Sequence, residues 1–154
     1  MMRPAYRFSL ALLLGAVLCT PMVRAEEDIR ISNAWINEAP PGMKMMGGYL
    51  DISNNTTNAM VLTGATSPCF EKIEFHVTEV KDGVSTMRRQ DSISIPAGSE
   101  FSFSPGHYHL MLINNTRTLA VGDKVPLTLN FDQGEPLQIE AEIRRGAPMA
   151  HQHH

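Results

Sequence analysis

At 154 residues, with a formal net charge of -3 and two cysteines against ten methionines, the chain has room for one domain with a sizeable core. Two cysteines can build neither a disulfide scaffold nor a four-cysteine zinc site. The acidic balance argues against a phosphate-binding surface, so nucleic acid is not an expected partner.

The first element is an address. Arg3 and Arg7 precede an uncharged apolar run from Phe8 to Leu18, and Val23-Arg24-Ala25 offers small residues for cleavage. This is the layout of a secretory signal, and the run is shorter than the roughly 20 apolar residues that span a bilayer. Cys19 follows Leu18 rather than a small residue, which makes a lipid-modified cysteine the weaker reading. Residues 1–25 are therefore expected to be a cleaved signal peptide. Cleavage removes three arginines and no acid, leaving a more acidic chain with Cys69 as its single thiol. The localisation expected is periplasmic.

From Glu26 onward, short alternating or β-branched runs are separated by Gly, Pro, Asn and Asp. The predicted strands are Ile29–Ile36, Gly48–Ser53, Met60–Ala65, Lys72–Val80, Val84–Arg89, Glu100–Ser104, Tyr108–Ile113, Lys124–Asp132 and Leu137–Arg144. Turns are expected at Pro40-Pro41-Gly42, Asn54-Asn55, Asp82-Gly83, Pro96-Ala97-Gly98, Pro105-Gly106, Asn114-Asn115 and Gly122-Asp123. Strands at this spacing indicate an all-β sandwich or barrel. It is expected over residues 26–146, followed by a His/Met-rich flexible tail at 147–154. The Asn-x-Thr patterns near Asn54 and Asn114 read as turn chemistry, since Asn tolerates a left-handed backbone.

Two of these strands carry unusual outer faces. In Lys72–Thr78 the alternation sends Ile73, Phe75 and Val77 inward and Glu74, His76 and Thr78 outward. A two-residue turn at Asp82-Gly83 pairs Lys81 with Val84, Thr78 with Met87 and His76 with Arg89. Met87 then shares a face with His76 as its diagonal neighbour; a three-residue loop would reverse that parity. In Tyr108–Leu112, His109 and Met111 share one face while Tyr108, Leu110 and Leu112 take the other. A lone Met on a strand is ordinarily packing, and a lone surface His is ordinarily solvated. Two of each on outer faces also fit a metal site, and imidazole with thioether suits Cu(I), a soft ion.

His76, ten intervening residues, Met87, twenty-one more, then His109-Leu110-Met111 resembles the ligand signature of the periplasmic copper chaperone family PCuAC. The surroundings resemble it too: Ala34-Trp35, Pro40-Pro41-Gly42, Gly48-Tyr49-Leu50, Ile95 to Gly98, Pro105-Gly106 and Gly122 to Leu127. The resemblance runs from about Ile29 to Arg144. It implies a cupredoxin-like Greek-key β-sandwich that binds one Cu(I) through His76, Met87, His109 and Met111. It also implies a non-enzymatic carrier delivering copper to CuA or other centres of cytochrome oxidase; a monomer is expected. The partners implied are the oxidase's copper-bearing subunit or a Sco-type protein. His107 stands where many members have Gly and Val77 where many have Met; His107 shares parity with His109 and is a candidate auxiliary ligand.

The tail carries Met149, His151, His153 and His154, a composition that binds metal loosely. It is a candidate second copper site, able to take Cu(II). Met43, Met45 and Met46 are read as loop packing or as helper thioethers, and Cys69 as a buried small hydrophobe. A blue-copper carrier would need a Cys thiolate beside two His, and no Cys neighbours His109. A copper-sequestering protein without a dedicated acceptor, and a metal-free β-sandwich module, are the other readings.

Overall fold

The computed structural model describes residues 28–146. Both the expected signal segment and the tail with Met149, His151, His153 and His154 lie outside the described residues. The ten strands are β1 (Ile29–Asn37), β2 (Met45–Asn54), β3 (Met60–Thr66), β4 (Phe70–Lys81), β5 (Val84–Gln90), β6 (Ile93–Ile95), β7 (Glu100–Phe103), β8 (Tyr108–Asn115), β9 (Lys124–Phe131) and β10 (Leu137–Arg144).

They form one sheet in the order β5-β4-β8-β2-β1-β10-β9-β3-β6, with β7 also paired to β2. Every pairing is antiparallel except β1 with β10, which brings the two ends of the described chain side by side. The sheet curls so that its inner face closes on a single core. Leu62, Ile93 and Ile95 from β3 and β6 join Ile36, Leu50, Ile52, Leu110, Leu112, Leu127, Leu129 and Ile143 in that core. Fully burying one such aliphatic side chain contributes about 1.5–3 kcal/mol, so the alternating pattern fixes which face of each strand looks inward.

Besides shifts of one or two residues at most strand ends, three differences from expectation stand out. β2 begins at Met45, not Gly48, because Met45 to Gly48 pair with Ile113 to Leu110 of β8. That splits the Met run: Met46 is 6% exposed in the core, while Met43 and Met45 are about half exposed. β8 continues through Asn114-Asn115, where a turn was expected; Asn114 takes a left-handed φ of 54°, and its side-chain amide donates to Glu71. β6 is a three-residue strand held by pairing to β3.

Asn54 behaves as turn chemistry requires. Its buried side-chain amide donates to the carbonyls of Asn58, Ile95 and Pro96, and its Oδ1 accepts from Thr56.

Candidate metal centre

Asp82 and Gly83 both have positive φ, 53° and 76°, the geometry of a two-residue hairpin turn. The hairpin register is the expected one: Lys81 opposes Val84, Thr78 opposes Met87, and His76 opposes Arg89. On the other side of β4, His76 opposes His109 and Glu74 opposes Met111. His76, Met87, His109 and Met111 therefore face the same way from three adjacent strands, β5, β4 and β8.

The two imidazoles stand at the centre, with ring centroids 5.8 Å apart and planes inclined by 40°. The thioethers come from opposite corners. Met87 lies one row toward the hairpin tip on β5, and Met111 lies one row the other way on β8. In a flat sheet their Cα atoms would be about 16 Å apart, so to share one ion both side chains would have to reach inward over the His pair.

Burial is uneven. His109 is 8% exposed and Met87 is 61% exposed. Alternation identified the outer face correctly, but the expected solvated surface is for His109 a buried position. β4 extends past Val77, where its paired register with β8 ends; Thr78 N still donates to the His107 carbonyl, and beyond it the strand pairs with β5. Met87 sits on this overhang.

Each ring is anchored through one nitrogen. His109 Nδ1 lies 3.2 Å from the backbone carbonyl of His107. A carbonyl only accepts, so Nδ1 carries the proton and Nε2 keeps its lone pair. His76 Nε2 lies 2.9 Å from Glu74 Oε2. The carboxylate likewise accepts, which leaves the lone pair of His76 on Nδ1. That atom is buried and has no hydrogen-bond partner. A buried orphan nitrogen is costly unless something meets it, and a metal ion is a fitting partner.

His107 itself is exposed in the Ser104–Tyr108 turn. Its carbonyl also accepts from Thr78 N at 3.1 Å, so its backbone supports the site. Cys69 is 5% exposed within the hydrophobic core, on the inner side of the sheet, and cannot complete a blue-copper centre. Among the described residues no group of three or more His, Cys, Asp or Glu could hold a metal ion. The further donors that face outward beside the His pair are the thioethers of Met87 and Met111.

Two further residues border the site. Glu74 was placed on the outer face by alternation without a role; its signal was a carboxylate two residues before a His on one strand. Gly47 lies directly opposite Met111. A Cβ there would sit 2.7 Å from the Tyr49 hydroxyl, so Tyr49 lies over the bare backbone beside Met111. Its ring packs against Trp35 with centroids 4.5 Å apart, and burial raises its phenol pKa.

Comparison with known proteins is consistent with this geometry. The sequence pattern of the LpqE-like family, described as "Putative lipoprotein LpqE-like", matches residues 29–143. The chain is 31% identical over 144 residues to "Putative lipoprotein Lxx21020" of Leifsonia xyli subsp. xyli (strain CTCB07), covering 87% of this chain and 85% of that protein. The copper-bound PCuAC domain from PmoF2 superposes with a TM-score of 0.67 at 24% identity, covering 80% of this chain and 97% of the domain. The Cu(I) form of DR1885 from Deinococcus radiodurans gives a TM-score of 0.60 at 25% identity, covering 73% and 75%. The fold is thus the cupredoxin-like β-sandwich of PCuAC domains.

Proposed function

The chain belongs to the LpqE-like family, which is of PCuAC type, and from that we propose that it is a copper chaperone of the cell envelope. It binds one Cu(I) through His76, Met87, His109 and Met111 and delivers it to copper centres of a cytochrome oxidase, CuA or another. Copper is cargo here, and the protein catalyses no covalent step. The copper-bound forms of PmoF2's PCuAC domain and of DR1885 support copper as the cargo. The lipoprotein relative supports export to the envelope.

The observation that carries the reading is the facing pair His76–His109, each ring tied down through one nitrogen and offering a lone pair from the other. Two neutral imidazoles and two neutral thioethers suit a soft monovalent ion. None of the four is a thiolate, so the ion is not locked in. Transfer proceeds by ligand exchange. An acceptor's ligands approach from the open side, where Met87 is exposed, and Met87 leaves first while buried His109 holds last. Imidazole must be neutral to ligate, so protons compete with copper for these rings and acid favours release. The signal at 1–25 and a looser Cu(II)-capable site in the 147–154 tail belong to the same proposal.

The test is incubation of the Cu(I)-loaded protein with an apo CuA domain, following metal in each after separation. Delivery predicts movement of most of the copper to the acceptor. Retention of copper by the loaded protein would instead indicate sequestration.

A further inference from the structure

We propose that Glu74 is a positioning residue of the copper site: it fixes the tautomer and orientation of His76 so that His76 binds Cu(I) through Nδ1. This rests on the copper reading above and adds a residue outside its four-ligand set.

The two oxygens of Glu74 have separate partners. Oε1 is paired with Lys72 Nζ and lies 3.6 Å from Arg89 Nη1. Oε2 lies 2.9 Å from His76 Nε2. Lys72 is on the same strand two residues away, and Arg89 lies directly across from His76 on β5. The cations thus hold one oxygen and aim the other at the imidazole. Side-chain exposure is 12% for Glu74 and 14% for His76, so water competes poorly for this bond.

The consequence lies on the far side of the ring. With Nε2 donating to the carboxylate, Nδ1 is the only lone pair His76 can offer, and it is the buried atom with no partner. His109 is anchored the opposite way, through Nδ1, and offers Nε2. The two rings therefore present different nitrogens to one metal, and each choice is set by an acceptor outside the ligand set. A carboxylate behind a ligating imidazole also raises its basicity, and loss of such a partner ordinarily lowers metal affinity by about 10–100-fold.

The experiment compares wild type, Glu74→Leu, Glu74→Gln and His76→Ala. Leu keeps the bulk and removes the acceptor; Gln keeps an acceptor oxygen and the shape. Cu(I) affinity is read by chelator competition, and the tautomer of His76 by its ring nitrogen shifts in the metal-free protein. Glu74→Leu is expected to mix the His76 tautomers and weaken Cu(I) by about 10–100-fold, with Glu74→Gln restoring most of both. An unchanged tautomer and unchanged affinity in Glu74→Leu would overturn the assignment. If His76→Ala binds Cu(I) as wild type does, the copper reading fails instead. The tautomer measurement then still judges Glu74 alone, and Glu74→Ala, which also removes the acceptor, carries it if Glu74→Leu does not fold.

Discussion

His76 and His109 stand directly opposite each other on β4 and β8, ring centroids 5.8 Å apart. Neighbouring residues on the same two strands, Phe75 and Leu110, are 4% and 0% exposed in the core. One register therefore sets both the packing and the site, and the two can be separated by mutating adjacent positions.

Leu110→Ala and Met111→Ala should behave in opposite ways. Leu110 is fully buried, and its truncation should cost about 2–5 kcal/mol of stability. Met111 faces outward, so its truncation should leave the urea midpoint nearly unchanged while weakening Cu(I) binding. Paired urea unfolding and chelator competition check both. A Met111→Ala protein that unfolds as easily as Leu110→Ala would place Met111 in the core.

The glycine pair in β2 offers a second contrast. A Cβ on Gly48 would meet Leu112 at 2.8 Å and Leu110 Cβ at 3.2 Å, both in the core. Overpacking of this kind costs about 1–3 kcal/mol, so Gly48→Ala should lower the melting temperature. At Gly47 the clash is with the Tyr49 hydroxyl, the far end of a side chain. Gly47→Ala should be milder in stability but should displace Tyr49 from Trp35. Trp35 is the single tryptophan, so its fluorescence reports the displacement directly.

Hairpin parity makes a sharper prediction. One residue inserted between Asp82 and Gly83 would either turn Met87 to the other face or break the pairing from Thr78 to Met87. Copper binding should fall to the level of Met87→Ala, with the core intact. Near-native thermal unfolding alongside that loss of affinity is the expected pair of results.

Much of this was legible in the sequence for one reason: alternation with a period of two assigns faces, and Asp82-Gly83 admits a specific register. The rest depended on tertiary context. Met43-Lys44-Met45-Met46 has apolar residues in both phases and runs into two glycines, so only pairing with β8 shows that the strand starts at Met45. Ile93–Ile95 is too short for a pattern. The Asn114-Asn115 pair resembles a turn because Asn favours the left-handed backbone, and Asn114 adopts it at φ 54° while the strand continues. Alternation also gives direction without depth. It could not show that His109 is buried, nor that Glu74, rather than solvent, meets His76.

Acid stability should report the Glu74 clamp. Hydrogen bonding from Lys72, then from His76, with the charges of Lys72 and Arg89 assisting, holds its carboxyl at about 2 against an ordinary 4.5. A folded-state pKa below the unfolded value means the ionised form stabilises the fold. That contribution is complete above the ordinary value and is lost as pH falls from there through about 2. In Glu74→Gln the decline of the urea midpoint between about pH 5 and 2 should be shallower than in wild type. Equal slopes would show that Glu74 is not held in this way.

The most direct test is X-ray absorption at the copper edge on protein loaded with one equivalent of Cu(I). The expected spectrum is that of Cu(I) with a mixed shell of two imidazole nitrogens and two thioether sulfurs. The nitrogen contribution should fall in His76→Ala and in His109→Ala, and the sulfur contribution in Met111→Ala. A shell without sulfur, or one unchanged by these substitutions, would contradict the assignment of copper to this face.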